Sequence, residues 1–121
     1  MTSSEHRSAE DLLPLSIQVF HILLSLRERD MHGYAIIGDI RHRTQGEVVL
    51  STSTLYGAIQ RMMRDGLVER SDVRPDPELD DERRRYYRIT EFGRGVMDAE
   101  ARRIERLAEM IRRQRILTMT S

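Results

Sequence analysis

The chain has no cysteine, no lysine and no tryptophan among its 121 residues, and only three prolines. Without cysteine there are no disulfides, no thiolate metal sites and no thiol nucleophile. Without lysine, all 20 basic residues are arginine. Arginine suits bidentate contacts with phosphate or guanine, although such a bias equally follows from genomic base composition. No indole is present to stack on a flat ligand. No apolar run approaches the roughly 20 residues of a membrane span, and the N-terminus lacks the profile of a secretory signal. A cytoplasmic protein that avoids membranes is expected.

What is present is charge and periodicity. Hydrophobic residues make up 39% and charged residues 33% of the chain, which describes a surface-rich, helix-leaning domain. A chain of this length forms one domain, with room for an appended element. Folding it compactly buries roughly two thirds of the unfolded surface, enough for one modest core. The 20 acidic residues balance the arginines to a formal net charge of zero. That balance argues neither for nor against a nucleic-acid partner, whose binding domains are often clearly basic.

The most informative stretch is Ser51 to Gly66, STSTLYGAIQRMMRDG. Four hydroxyl residues precede Leu55, Ile59, Met62 and Met63, which recur at helical spacing. A hydroxyl ahead of such a run is an N-cap signal, because its oxygen accepts an orphan backbone N–H of the first turn. Glycine after the last periodic residue is a left-handed stop. The result is a short amphipathic helix with small hydrogen-bonding side chains in its first turn, followed at once by the strand Leu67-Val68-Glu69-Arg70. A recognition helix presents such a first turn to base edges and phosphates in a DNA major groove.

The remaining segments supply a context. Residues 1–11 are polar and read as a frayed tail. Leu12 to Arg29 reads as the first helix, with Pro14 in its first turn, where a missing N–H is tolerated. Its apolar residues extend most of the way round, so one face is expected to meet the core and another a partner chain. Met31-His32-Gly33-Tyr34 makes a tight connection into a second helix that runs to about Thr44, and Glu47 to Leu50 reads as a brief strand. Leu67–Val73 and Glu82–Thr90 form a hairpin around the acidic loop 74–81. In its second strand Tyr87 and Ile89 share one face and Tyr86 and Arg88 the other. Thr90-Glu91-Phe92-Gly93 caps a last helix reaching about Arg115, roughly 37 Å long at 1.5 Å per residue. So small a domain cannot cover such a helix, which points to dimerisation through it.

The order helix, turn, helix, link, helix, strand, strand, helix gives an α+β, mostly α fold: a winged helix-turn-helix with a long C-terminal dimerisation helix. The expected division is a tail (1–11), a DNA-binding domain (12–90), a dimerisation helix (91–116) and a second tail (117–121). Dimer contacts are assigned to Leu15, Val19, Phe20 and Leu23 of the first helix and Met97, Ile104, Leu107 and Ile111 of the last. Thr52, Ser53 and Thr54 are positioned to reach phosphates or bases, with Ser51 or Thr52 spent as the cap. Arg61 lies too far along for bases and is a phosphate candidate. Arg83, Arg84 and Arg85 are either DNA contacts or a solvated strand end that neutralises its acidic neighbours. No nucleophile–base pair, carboxylate pair or glycine-rich phosphate loop suggests an enzyme. No HxH or HxxxH spacing suggests a metal, and His21 on the apolar first helix reads as structural. No cofactor is expected. A histidine–carboxylate metal sensor and a winged helix that binds only protein remain as alternatives.

Four segments carry a family resemblance: His32-Gly33-Tyr34, Ser53-Thr54-Leu55-Tyr56, Arg64-Asp65-Gly66-Leu67-Val68, and Arg85-Tyr86-Tyr87-Arg88-Ile89-Thr90-Glu91-Phe92-Gly93. In this order and spacing the chain resembles PadR-family transcriptional regulators of the short type, over residues 13–113. The family often has glycine where Ser53 stands and proline where Gly57 stands. The resemblance implies a homodimeric repressor that binds a pseudo-palindromic double-stranded DNA operator and is released by a small molecule or a cellular signal. Tyr56 resembles the family tyrosine whose hydroxyl reaches the DNA backbone. Tyr34 either does the same or is a partly buried core ring. An effector pocket between the first helix and the partner's last helix would be lined by Phe20, Met97 and Met110.

Overall fold

Four side-chain caps decide where the helices begin in the computed structural model, which describes residues 8–71 and 85–115. Ser16 Oγ accepts from Val19 N–H at 3.2 Å and opens α1 (Ile17–Glu28). His32 Nδ1 accepts from Ala35 N–H at 3.1 Å and opens α2 (Gly33–Arg43). Ser51 Oγ accepts from Thr54 N–H at 3.1 Å and opens α3 (Thr52–Arg64). Thr90 Oγ1 accepts from Gly93 N–H at 2.9 Å and opens α4 (Glu91–Arg113). Each contact satisfies a backbone donor that the first helical turn leaves without a partner.

Three strands complete the fold: β1 (Met31–His32), β2 (Val68–Ser71) and β3 (Tyr86–Ile89). All pairing is antiparallel in the order β1-β3-β2, with Met31 opposite Tyr87 and Val68 opposite Ile89. The architecture is mostly helical with one small sheet, as the residue pattern predicts. Among the described residues no helix is long and apolar enough to cross a membrane.

Several boundaries differ from expectation. The first helix starts after Ser16, not at Leu12. Leu12 ends a short 3-10 turn (Ala9–Leu12), and Pro14 lies in the link before the Ser16 cap. Met31–His32 is a strand paired to β3 and not merely a connection. Residues 47–50 form no strand, because Thr44 holds them: its hydroxyl accepts from Val48 N–H at 3.0 Å and donates to the Ile40 carbonyl at 2.8 Å. The expected loop 74–81, with Arg83 and Arg84, falls outside the described residues.

The core centres on α1, which packs against α2, α3, α4 and β3. Ile22, Leu23 and Leu26 are fully covered there. Leu23 is thus covered by its own chain and does not face a partner, while Ile17 stays exposed and Val19, Phe20 and Leu24 are only partly buried. Spacing of i, i+3, i+4 and i+7 buries Leu55, Ala58, Ile59 and Met62 on one side of α3. A polar bridge joins α1 to α2. Ser25 Oγ donates to Asp39 Oδ2 at 2.7 Å, and Arg43 donates both to Ser25 Oγ at 3.1 Å and to the His21 carbonyl at 3.0 Å. Burial alone would raise the Asp39 pKa, but the Ser25 hydroxyl and the Arg43 guanidinium outweigh it and lower the pKa. Burial, then the Arg43 charge, lowers that of His21.

The turn after α3 is joined to the start of α4. Gly66 adopts φ +78° and lets Leu67 N–H return to the Met62 carbonyl at 2.9 Å. Thr90 then donates its hydroxyl to the Gly66 carbonyl at 2.6 Å and its N–H to the Leu67 carbonyl at 3.0 Å. Gly93 passes so close that a Cβ there would overlap the Leu67 carbonyl oxygen. Only glycine fits at that crossing.

The first half of α4 is covered by its own chain and holds a buried carboxylate. Glu100, 2% exposed, accepts from Leu15 N–H at 3.0 Å and from Arg103 Nη2 at 3.0 Å, clamping the segment before α1 to α4. The Arg103 guanidinium, followed by the Leu15 amide, holds its carboxyl below the usual glutamate range despite the opposing effect of burial. Glu100→Gln keeps an acceptor for Leu15 but loses the ionic bond, and is expected to cost about 1–3 kcal/mol at neutral pH. Because the folded-state pKa is depressed, this stabilisation is complete above the unfolded value of about 4.3 and is lost as pH falls through the folded value. Urea unfolding should therefore separate the two proteins at neutral pH and bring them together as pH falls through the depressed folded-state value. Curves that remain parallel down to acid would contradict the assignment.

Candidate nucleic-acid interface

With Leu55, Ala58, Ile59 and Met62 turned inward, helical spacing places Ser53, Gly57, Gln60 and Arg64 along the opposite, outward line of α3. Ser53, Gln60 and Arg64 are exposed. The expected hydroxyl cluster is present, but its members differ. Ser51, not Thr52, is the cap, and its hydroxyl also donates to Thr54 Oγ1 at 2.9 Å. Thr54 is therefore engaged with the cap, and Ser53 Oγ also lies 3.3 Å from Ser51 Oγ, whereas Thr52 projects from the first turn into solvent.

Tyr34 and Tyr56 come together beside this line. Tyr34 is 51% exposed, so it is not a core ring. Tyr56 is half-buried and packs over Gly33, where a Cβ would overlap its phenol oxygen. Burial raises the Tyr56 pKa, with smaller contributions from Tyr87 and Tyr34. The His32-Gly33-Tyr34 motif thus divides into a helix cap, a space for Tyr56 and an exposed phenol.

A groove of about 360 Å³ separates α3 from the sheet. Ile59 and Tyr87 form its floor. Tyr34, Tyr56, Gln60, Arg70 and Arg85 supply polar groups around it. Arg85 is therefore the member of the expected arginine triplet that the structure places at the site; Arg83 and Arg84 lie outside the described residues. Arg70 and Gln60 were not singled out from sequence. Their signals were Arg70's register opposite Tyr87 on β3 and the seven-residue spacing from Ser53 to Gln60. Arg61 lies on the other flank of α3, in a recess with Leu12, Pro14 and Asp65. It does not join the groove.

The residues assigned to a dimer contact also divide. Met97, like Leu23, is covered within its own chain, at 4% exposure, and offers no surface to a partner or a ligand. Leu15, Val19 and Phe20 are partly buried, with Phe20 edge-on to His21. Ile104, Leu107 and Ile111 are exposed and share the side of α4 that Val96 and Glu100 bury one to three turns earlier. Met110 is also exposed, but thirteen residues along α4 put it about 20 Å from Met97. The two methionines of one helix cannot line one small pocket. Among the described residues no group of three or more His, Asp or Glu side chains is placed to hold a metal ion.

A sequence model of the transcriptional regulator PadR-like family matches residues 22–99. The chain belongs to this PadR-like family of transcriptional regulators. Among solved structures it is similar to a transcriptional regulator from Clostridium thermocellum, at 29% identity and TM-score 0.66, covering 79% of this chain and 87% of that one. A PadR family regulator from Clostridium difficile shares the fold at 22% identity and TM-score 0.65, covering 81% and 97%. Bacillus subtilis PadR, solved in complex with operator DNA, shares it at 17% identity and TM-score 0.58, covering 71% of this chain and 47% of that one. The PadR-like motifs read from sequence all fall at structural joints: the α2 cap, the α3 first turn, the α3–β2 stop and the β3–α4 cap.

The contact between Gly33 and Tyr56 is testable by a double-mutant cycle. Gly33→Ala forces the ring aside and is expected to lower stability by about 1–3 kcal/mol. In a Tyr56→Ala background the same change should cost much less. Equal costs in both backgrounds, measured by urea unfolding, would show that the ring does not require the glycine.

Proposed function

We propose that this PadR-like protein is a homodimeric repressor that binds a pseudo-palindromic operator through α3, one half-site per chain. The observation that carries the reading is the exposed outward line of α3 beside a groove bearing Arg70 and Arg85. Thr52 and Ser53 reach base edges or phosphates of the DNA major groove, while Tyr34, Tyr56, Arg70 and Arg85 hold backbone phosphates. Arg83 and Arg84 are proposed as further DNA contacts on sequence alone. Bacillus subtilis PadR, which shares the fold, was solved in complex with operator DNA, and this supports a DNA-binding role.

Residues 12–90 act as the DNA-binding unit and 91–116 as the dimerisation unit. The second half of α4 supports the latter, because its face of Ile104, Leu107 and Ile111 continues the buried side of the helix without cover. A second copy supplies the missing surface. A small molecule or cellular signal that changes the spacing of the two α3 helices would release the operator.

The test is titration of the full chain against the duplex upstream of its own gene and a scrambled duplex, at two salt concentrations, with solution mass recorded alongside. Selective binding by a dimer is expected. Arg70→Ala or Arg85→Ala should weaken both duplexes alike and lower the salt slope by about one. Equal wild-type binding to the two duplexes, or none, would contradict the proposal.

A further inference from the structure

The outward line of α3 holds an uncharged side chain, Gln60, that the fold leaves idle, and one glycine that the fold does not require. Gln60 is exposed, and no hydrogen bond or ion pair among the described residues engages its amide. Gly57 lies one turn earlier on the same line. A Cβ built there meets only Arg61 Nη1, at an ordinary 3.7 Å. Nothing inside the protein explains a missing side chain at that position, and glycine within a helix is less stable than alanine.

We propose that Gln60 is the base-reading residue of α3, that it recognises adenine in an A·T pair, and that Gly57 is the gap that lets the helix lie close enough to do so. The inference rests on the DNA-binding reading above. Gln60 stands at the rim of the groove that carries Arg70, Arg85 and the Tyr34 and Tyr56 hydroxyls. Phosphates held by those groups place the adjacent base edges against the Gln60 face of the helix. The planar amide offers one donor and one acceptor, matching the N7 acceptor and N6 amino donor that adenine presents in the major groove. Its neighbours on the line do not. Ser53 carries a single hydroxyl, and Arg64 ends the helix with a long cation suited to phosphate or guanine.

The spacing fits a helix lying along the groove. Ser53, Gly57 and Gln60 span two turns of one face, and helices docked lengthwise read bases from just such i, i+4, i+7 positions. A side chain at Gly57 would hold the Gln60 backbone away from the base edges. Gly57→Leu is therefore expected to keep or raise thermal stability while lowering operator affinity at least tenfold, opposite signs that a merely structural glycine would not produce.

The deciding experiment selects duplexes from a random pool with the full wild-type chain, then measures its affinity for every single base-pair variant of the selected site. Gln60→Ala, checked for an unchanged Tm, is run on the same panel. The expected result is tolerance at one symmetric A·T position, with a loss on the best site of about 5- to 150-fold, the equivalent of about 1–3 kcal/mol for one bidentate base contact. Gln60→Glu should move the preference at that position toward cytosine, whose amino group donates to a carboxylate. An unchanged preference at every position, or a loss equal on all duplexes, would overturn the assignment while leaving DNA binding intact. Failure of the wild type to select any sequence would instead overturn the DNA-binding reading itself.

Discussion

Two backbone carbonyls, those of Gly66 and Leu67, connect the two helices on which the proposed function depends. Thr90 bonds to both and in the same place caps α4. Gly93 then presses the first turn of α4 onto the Leu67 backbone. The end of α3 and the start of α4 are thus one rigid joint, built from main-chain groups that cannot repack around a substitution. In the proposed dimer, the direction of α4 fixes the direction of α3. A change in how two α4 helices meet would be felt at the DNA with little loss on the way.

The long helix has one apolar side and two environments. From Gly93 to Glu100 that side is buried by α1 and the segment before α1. From Ile104 onward the same side is open. Glu100 and Arg103 stand at the boundary. A charged pair there keeps the intramolecular seam from sliding into the exposed one, because moving Glu100 off Leu15 N–H and Arg103 leaves a buried carboxylate without its partners.

Much of this was legible from sequence because the signals are local. A hydroxyl before an apolar run, a glycine after it and an alternating strand each act within a few residues, so the four helices and the β2–β3 pair were read correctly. Two errors were local, the Ser16 cap setting the start of α1 and Thr44 holding residues 47–50 out of a strand; the others arose where a distant partner decides. Met31–His32 becomes a strand only because β3 is available across the chain. Leu23 and Met97 looked like spare apolar surface, yet the meeting of α1 and α4 buries both. At the candidate site, Thr52, Ser53, Tyr34, Tyr56 and Arg85 were identified from motif and cap chemistry. Arg70 and Gln60 were missed, since membership of the groove depends on how the sheet lies against α3. Arg61 was included because the linear sequence does not say which flank of α3 a residue occupies.

The central claim is that two copies, paired through α4, present two outward α3 helices to one face of a duplex. Hydroxyl-radical footprinting of the full chain on its upstream region tests this most directly. The account predicts two protected patches of equal strength, related by a two-fold axis and centred about one helical turn, 10–10.5 base pairs, or a whole multiple of it apart. A single protected patch, or two patches offset by half a turn onto opposite faces of the duplex, would contradict it.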